Sequence, residues 1–197
     1  LWMQSAAAAG TMTSLRPSPL MVALIQTAAT LPAFLFGLPG GVLADLVDRR
    51  RLLLAANAWM LAVMGVLSLL TFSGNIGPWS LLLLTFALGV GYTLQAPAWQ
   101  ATNSDVLPRA EVPASLSLSG ISVNGARAVG PALAGLVIAQ FGSGAVFALN
   151  AVCYLAVFVV LLRWRNPPRR GGDTPPEGLL GGMQAGLRYV RHSPALM

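Results

Sequence analysis

Long apolar runs, separated by short polar breaks, dominate this chain. From Pro17 to Ala44 there are 28 residues without a charge. Wound as an α-helix, that stretch reaches about 42 Å, enough to cross a bilayer with tilt. Leu52 to Ser104 is also charge-free but too long for one span, and the break Ser73-Gly74-Asn75-Ile76-Gly77-Pro78 divides it in two. After Arg109 and Glu111 a helix is expected from about Ala114 to Phe141. The turn Gly142-Ser143-Gly144 separates it from another that reaches Leu162. The pattern predicts five complete spans, about 19–45, 51–72, 79–103, 114–140 and 145–163. Leu1 to Ser14 is apolar but too short to cross, and the turn Arg16-Pro17-Ser18-Pro19 follows it. It is expected to be the outer end of a first helix that starts further upstream. The expected fold is therefore an all-α polytopic bundle of six helices over 1–163, with the first helix truncated.

Beyond Trp164 the character changes. Asn166-Pro167-Pro168-Arg169-Arg170-Gly171-Gly172-Asp173-Thr174-Pro175-Pro176 reads as a flexible linker, since Pro cannot continue a helix and Gly adds freedom. Leu180, Met183, Leu187 and Val190 then recur at helical spacing beside Arg188 and Arg191. That short amphipathic helix suits the membrane surface or the inner face of the bundle.

Composition agrees with lipid as the solvent. The chain is 55% hydrophobic and 9% charged, against about 25% charged residues in a soluble domain. All twelve basic residues are Arg, and the net charge is +6. Nucleic-acid binding would need those charges spread over a wetted face with aromatics between them. Here they fall between the apolar runs, as the positive-inside rule describes. Arg49, Arg50, Arg51 and Arg109 lie in alternate loops, with Arg163, Arg165, Arg169 and Arg170 after the last span. The opposite loops hold only Arg16. The Arg-rich side is expected to be cytoplasmic, in a multi-pass protein of the inner (plasma) membrane.

A faint internal repeat accompanies this topology. Asn57-Ala58-Trp59-Met60-Leu61-Ala62-Val63 is similar to Asn150-Ala151-Val152-Cys153-Tyr154-Leu155-Ala156-Val157, with one residue inserted. If the third and sixth helices correspond, the unit is three helices and the second copy is inverted.

Two motifs carry more specific information. The loop between the second and third helices reads Gly41-Val42-Leu43-Ala44-Asp45-Leu46-Val47-Asp48-Arg49-Arg50-Arg51. It resembles the signature loop of the major facilitator superfamily, Gly-x-Leu-Ala-Asp-Arg-x-Gly-Arg-Arg. Leu46 replaces the first basic residue and Asp48 the second glycine. The version here is similar to that of the enterobactin-exporter-like, transmembrane secretion effector branch, and the likeness runs from about Trp2 to Val190. The resemblance implies an N-terminal half of a major facilitator fold, with the C-terminal six-helix half to follow and about 10–25 residues to precede Leu1. It also implies alternating access and proton-coupled export of a small molecule such as a drug, siderophore or metabolite. Gly41, Asp45, Asp48, Arg49 and Arg50 are then the gate between halves. Without that role, Asp45 and Asp48 neutralise and orient the Arg cluster.

On the fifth helix, Asn124-Gly125-Ala126-Arg127-Ala128-Val129-Gly130-Pro131-Ala132-Leu133-Ala134-Gly135 carries a stripe of small residues, Gly125, Gly130 and Gly135, and a kink position at Pro131. It resembles the Gly-Pro signature of the superfamily's exporters, although four residues separate Gly125 from Gly130 where three are usual. Arg127 stands deep within the span, where a charge costs at least about 3 kcal/mol. It therefore needs a partner, and no carboxylate of the visible spans lies at that depth. Missing sequence, helix carbonyls, water or an anionic substrate can fill that role. Arg127, Asn124, Gln26 and Gln95 are the expected lining of a substrate cavity, with interhelical hydrogen bonding as the other use of the neutral groups.

Other chemistry is poorly supplied. His192 is the lone histidine and Cys153 the lone cysteine, so neither offers metal-ligand spacing, and no cofactor is expected. Ser119 and Ser122 have no intramembrane His or Lys to activate them, and no phosphate-binding Gly-x-x-x-x-Gly-Lys loop occurs. An enzyme is not expected. A non-transporting scaffold or receptor is the alternative to a transporter.

Overall fold

The computed structural model describes residues 2–15, 18–106, 108 and 111–164. The stretch in which the linker and the amphipathic helix are expected, 165–197, lies outside them. Regular structure among the described residues is six α-helices: α1 (Trp2–Leu15), α2 (Pro19–Leu46), α3 (Arg49–Phe72), α4 (Pro78–Val106), α5 (Val112–Phe141) and α6 (Ser143–Arg163). The last five are long and apolar enough to cross a membrane. At 14 residues α1 is not.

The ends of these helices follow from local chemistry. Proline, whose missing N–H is harmless in a first turn, opens α2 and α4 and stands second in α5. Asp48 caps α3: its carboxylate accepts from the Arg51 backbone N–H at 3.0 Å. That cap starts α3 two residues before the expected 51. The turns after α3 and α5 use Gly74 (φ 70) and Gly142 (φ 78), the left-handed conformation that lets a helix stop within one residue.

The helices form a closed ring. α2 lies along α4, α4 along α3, α3 along α6, and α6 touches α5. The short α1 completes the ring between α5 and α2 and also contacts α6 and α4. Half of the α3 span (50%) is buried, with 33% of α4 and 17% of α6, against 11% for both α2 and α5, so those two are the least buried spans. The main core joins Met12 of α1, Met60, Met64 and Leu67 of α3, Leu81 of α4, and Val146 and Phe147 of α6. A second cluster at the Arg-rich end joins Ala44, Leu52, Leu53, Ala98 and Leu161.

Glycines set the tightest approaches. A Cβ on Gly89 would lie 2.7 Å from Pro32 Cγ and 2.9 Å from the Ala29 carbonyl oxygen, so α2 and α4 meet nearly backbone to backbone. A Cβ on Gly91 would lie 2.7 Å from Met60 Cγ and 2.9 Å from Trp59 Cδ1. Beside it, Trp59 Nε1 donates to the Ala87 carbonyl at 2.7 Å, closing α3 on α4. On the other side of α3, Phe72 packs on Gly144, and Ser68 Oγ donates to the Gly144 carbonyl at 3.3 Å.

One charged side chain also joins helices. Arg50, in the first turn of α3, donates from Nε to the Leu161 carbonyl (3.1 Å) and from Nη2 to the Leu162 carbonyl (2.7 Å). Both acceptors are in the last turn of α6, where carbonyls lack helical partners and the helix dipole is negative. A planar fork can hold two such oxygens at once.

Two stability predictions follow from this packing. Gly89→Leu should lower the stability of the purified protein by about 1–3 kcal/mol, the usual range for overpacking. Gly65→Ala, whose Cβ meets nothing within 4 Å, should cost nothing. Thermal melts in one detergent compare the two, and equal melting temperatures would remove the α2–α4 contact from the account. In the same assay Arg50→Ala should cost about 1–3 kcal/mol, as expected for charge-assisted hydrogen bonds, and Arg50→Lys should recover only part of it.

Candidate gate loop and intramembrane face

The loop expected to act as a gate is short and ordered by its own residues. Gly41 and Asp45 lie in the last turns of α2. A Cβ on Gly41 would meet nothing within 4 Å, so this glycine faces open space in the chain. The close approach falls instead on its neighbour Gly40, whose Cβ would lie 3.4 Å from Leu94 Cδ2. The Asp45 side chain is outside the described residues. Asp48, standing where the resembling motif has glycine, is the N-cap of α3. Arg50 holds the end of α6. Two of the five expected gate residues thus have identified roles inside this bundle. Arg49 is half-buried beside them.

The middle of the fifth helix is open all round, every residue from 121 to 129 being exposed. At about 100° per residue, Gly120, Asn124, Arg127, Pro131 and Gly135 fall within one arc of about 80°. Asn124, Arg127, Pro131 and Gly135 are exposed, and Gly120 partly so. Of the expected small-residue stripe, only Gly130 makes a close approach: its Cβ would lie 3.0 Å from Trp2 Cβ and 3.4 Å from the Met3 backbone nitrogen of α1. Gly125 and Gly135 have nothing within 4 Å. The physical reason is their position on the helix, since Gly125 and Gly130 point about 140° apart.

Arg127 lies 15 residues from Val112 and 14 from Phe141, or about 22 and 21 Å from the two ends of α5, at its midpoint. Its guanidinium carbon sits 5.1 Å from the centre of the Trp2 ring. Such a pair is worth about 0.5–2 kcal/mol, and more as water is excluded. No described residue accepts a hydrogen bond from Arg127.

The other expected cavity residues are dispersed. Asn124 Nδ2 donates to the Gly120 carbonyl of its own helix at 2.9 Å. Gln26 is exposed on α2 and Gln95 half-buried on α4. Among the described residues, no hydrogen bond or ring contact joins Gln26, Gln95, Asn124 and Arg127 to one another. What the sequence reading missed is Trp2. Its contact with Arg127 spans 125 positions in the chain and leaves no local pattern, an aromatic in a neighbouring helix at the depth of an intramembrane cation being the one signal for it. A shallow depression of about 450 Å³ lies beside Trp2, lined by Trp2, Met3, Gly125, Ala126, Val129, Gly130, Leu133 and Asn150 and not by Arg127. Among the described residues no cluster of His, Cys, Asp and Glu is arranged to hold a metal ion.

Comparison with known proteins places this architecture. Residues 1–197 match the family described as transmembrane secretion effector. The uncharacterized MFS-type transporter YfiS of Bacillus subtilis (strain 168) is 27% identical over 186 residues, covering 93% of this chain and 43% of that protein. The staphyloferrin A transporter of Staphylococcus aureus (strain NCTC 8325 / PS 47) is 26% identical over 140 residues, covering 71% and 35%. The multidrug efflux pump Tap of Mycobacterium tuberculosis (strain ATCC 25618 / H37Rv) is 28% identical over 179 residues, covering 85% and 42%. The chain therefore spans less than half the length of each of these relatives. No solved structure gives a significant match. Five spans, the loop after α2 and a family match over the whole chain converge: the chain belongs to the transmembrane secretion effector family of major facilitator transporters.

Proposed function

We propose that this chain is the N-terminal half of a secondary active exporter that moves a small organic molecule out of the cell by alternating access. A C-terminal six-helix half completes the machine against the open faces of α2 and α5. The Arg-rich end faces the cytoplasm, following the positive-inside rule. The similarity to a multidrug efflux pump supports outward transport, and that to a staphyloferrin A transporter supports a small-molecule substrate.

The observation that carries this reading is Arg127. A cation at the middle of a span is costly, and intramembrane charges mark substrate and ion pathways. Here it stands on the open face of α5, in line with Asn124 and small residues, where a central cavity between halves would lie. The gate loop adds a second support. Asp48 and Arg50 tie the α2–α3 turn to the ends of α3 and α6, so the loop moves with its own half. In the superfamily's signature loop, which this one resembles, the residue at Asp45 meets the other half, and a contact that breaks on inward opening biases the two states.

Proton coupling is part of this reading, supported by the resemblance to the superfamily's exporters. All six acidic residues of the chain lie near span ends, in the Arg-rich loops or beyond residue 164. The proton-carrying carboxylate therefore belongs to the sequence that completes the protein.

In cells expressing the complete transporter, Arg127→Ala should cut export of a transported dye at least tenfold while membrane levels of the protein stay normal. Undiminished export would remove Arg127 from the cavity. A protonophore should abolish export at constant cellular ATP, and export that persists would exclude the proton gradient as its driver. A protein that reaches the membrane, binds ligands and exports nothing would favour a receptor or scaffold.

A further inference from the structure

We infer that the bilayer is seated on this bundle between Trp79 and Trp99, and that the Arg-rich ends of α4 and α5 stand about 10 Å clear of its hydrocarbon. Three tryptophans are exposed among the described residues, and they differ in what meets the indole N–H. Trp59, in the interior of α3, donates to the Ala87 carbonyl at 2.7 Å. That bond lets its ring lie exposed to lipid without needing water. Trp79 (72% exposed) and Trp99 (46%) stand near the two ends of the α4 span, and no described residue accepts from either. An apolar ring whose N–H must be met by water fits the headgroup layer of a membrane. The two are 20 residues apart on α4, or about 30 Å, the thickness of the hydrocarbon. Phe72 and Phe141, exposed at the last positions of α3 and α5, join Trp79 at the Arg-poor end.

Two other helices return the same slab. The same length along α3 from Phe72 ends at Leu52, and Arg51, Arg50 and Arg49 follow at once. On α6 it runs from Ser143 to Arg163. Both helices thus place their arginines at the boundary, where a charge can reach water. α4 and α5 overshoot it. Measured from Phe141, the slab on α5 ends at Ile121 and leaves 112–120 beyond. α4 continues past Trp99 to Val106. The excess is about 10 Å on α4 and about 14 Å on α5. Its composition changes accordingly, with Gln100, Thr102, Asn103, Ser104 and Asp105 on α4 and Ser115, Ser117 and Ser119 on α5. The part of α4 apolar enough to cross a membrane stops at Gln100. The exposed Leu116 and Leu118 lie within about 8 Å of the boundary, at headgroup depth. Tilt does not absorb the excess, since both helices would have to lean by about 45°, past the observed range of about 0–40°.

Fluorescence quenching and cysteine labelling of the complete transporter in lipid vesicles test this placement, and neither depends on transport. In variants that keep one tryptophan, with Phe at the others, lipids brominated near the ester end should quench Trp79 and Trp99 roughly twofold more than lipids brominated near the chain terminus. Trp59 should show the reverse order. Labelling needs no tryptophan replacement and stands if those variants fail to fold. In a Cys153→Ala background, Ala114→Cys and Ser117→Cys, both at exposed positions, should react with a membrane-impermeant maleimide added to one face of the membrane. Native Cys153, exposed on α6 about 15 Å from Ser143, should stay unlabelled from either face. The same quenching order for all three tryptophans, protection of Ala114→Cys from both faces, or labelling of Cys153 as fast as Ala114→Cys would each overturn the placement. The face that reacts reports separately on orientation. Reaction from the cytoplasmic side is expected, and reaction from the other side alone would reverse the topology while upholding the slab.

Discussion

Helices in lipid gain little by hiding apolar faces from one another, because the solvent is as apolar as they are. Association must come from close packing and from hydrogen bonds that lipid cannot offer. In this bundle the requirement falls hardest on α4. Gly89 and Gly91, two residues apart, point about 160° from each other, and each receives a different neighbour. Pro32 and the Ala29 carbonyl of α2 come to one, and Met60 and Trp59 of α3 to the other. With α2 and α3 fixed on opposite sides of α4, the remaining positions follow. α3 carries α6 through Phe72 on Gly144 and through Arg50. α1 carries α5 through Gly130. The helices left with open faces are α2 and α5, the two expected to bear the gate motif and the cavity cation.

The same physics decides what the sequence makes visible. Charge-free runs interrupted by Arg-rich or Gly/Pro breaks locate the spans because lipid permits nothing else between the breaks. Helix ends are legible from Pro19, Pro78 and Gly142, each acting through its own backbone, whereas the side-chain cap of Asp48 moves the start of α3 two residues ahead of the expected 51. Faces are not legible. A helix that is apolar all round has no polar side to mark the exposed one, so Gly125, Gly130 and Gly135 look equivalent in the sequence. Only Gly130 meets another helix. Gly89 and Gly91 drew no notice for the same reason. Contacts made across long stretches of chain, such as Trp2 with Arg127 or Arg50 with α6, have no local signature at all.

The suspected repeat gains a physical parallel. Asn57 Nδ2 donates to the Leu53 carbonyl and Asn150 Nδ2 to the Val146 carbonyl, both at 2.9 Å and both four residues back along their own helix. The two asparagines occupy α3 and α6, which pack on each other and start from opposite ends of the bundle. The bond uses only the Nδ2 group in each case, and the buried Oδ1 of Asn57 has no hydrogen-bond partner among the described residues. Asn124 makes the same bond back to Gly120, so the parallel is one of local chemistry and does not by itself mark a repeat.

The use of arginine to the exclusion of lysine also acquires a reason at two places. At the end of the bundle, Nε and Nη2 of Arg50 hold two successive carbonyls, a geometry that a single ammonium cannot reproduce. At mid-depth the Arg127 Cζ sits 5.1 Å from the centre of the Trp2 ring, and Arg makes such ring contacts more often than Lys. In the first case the donor edge is used up on helix carbonyls, and the result is a staple. In the second the charge meets a π-system, which offers electrostatic relief without a hydrogen bond. The two arginines thus differ in what the protein sets against the charge.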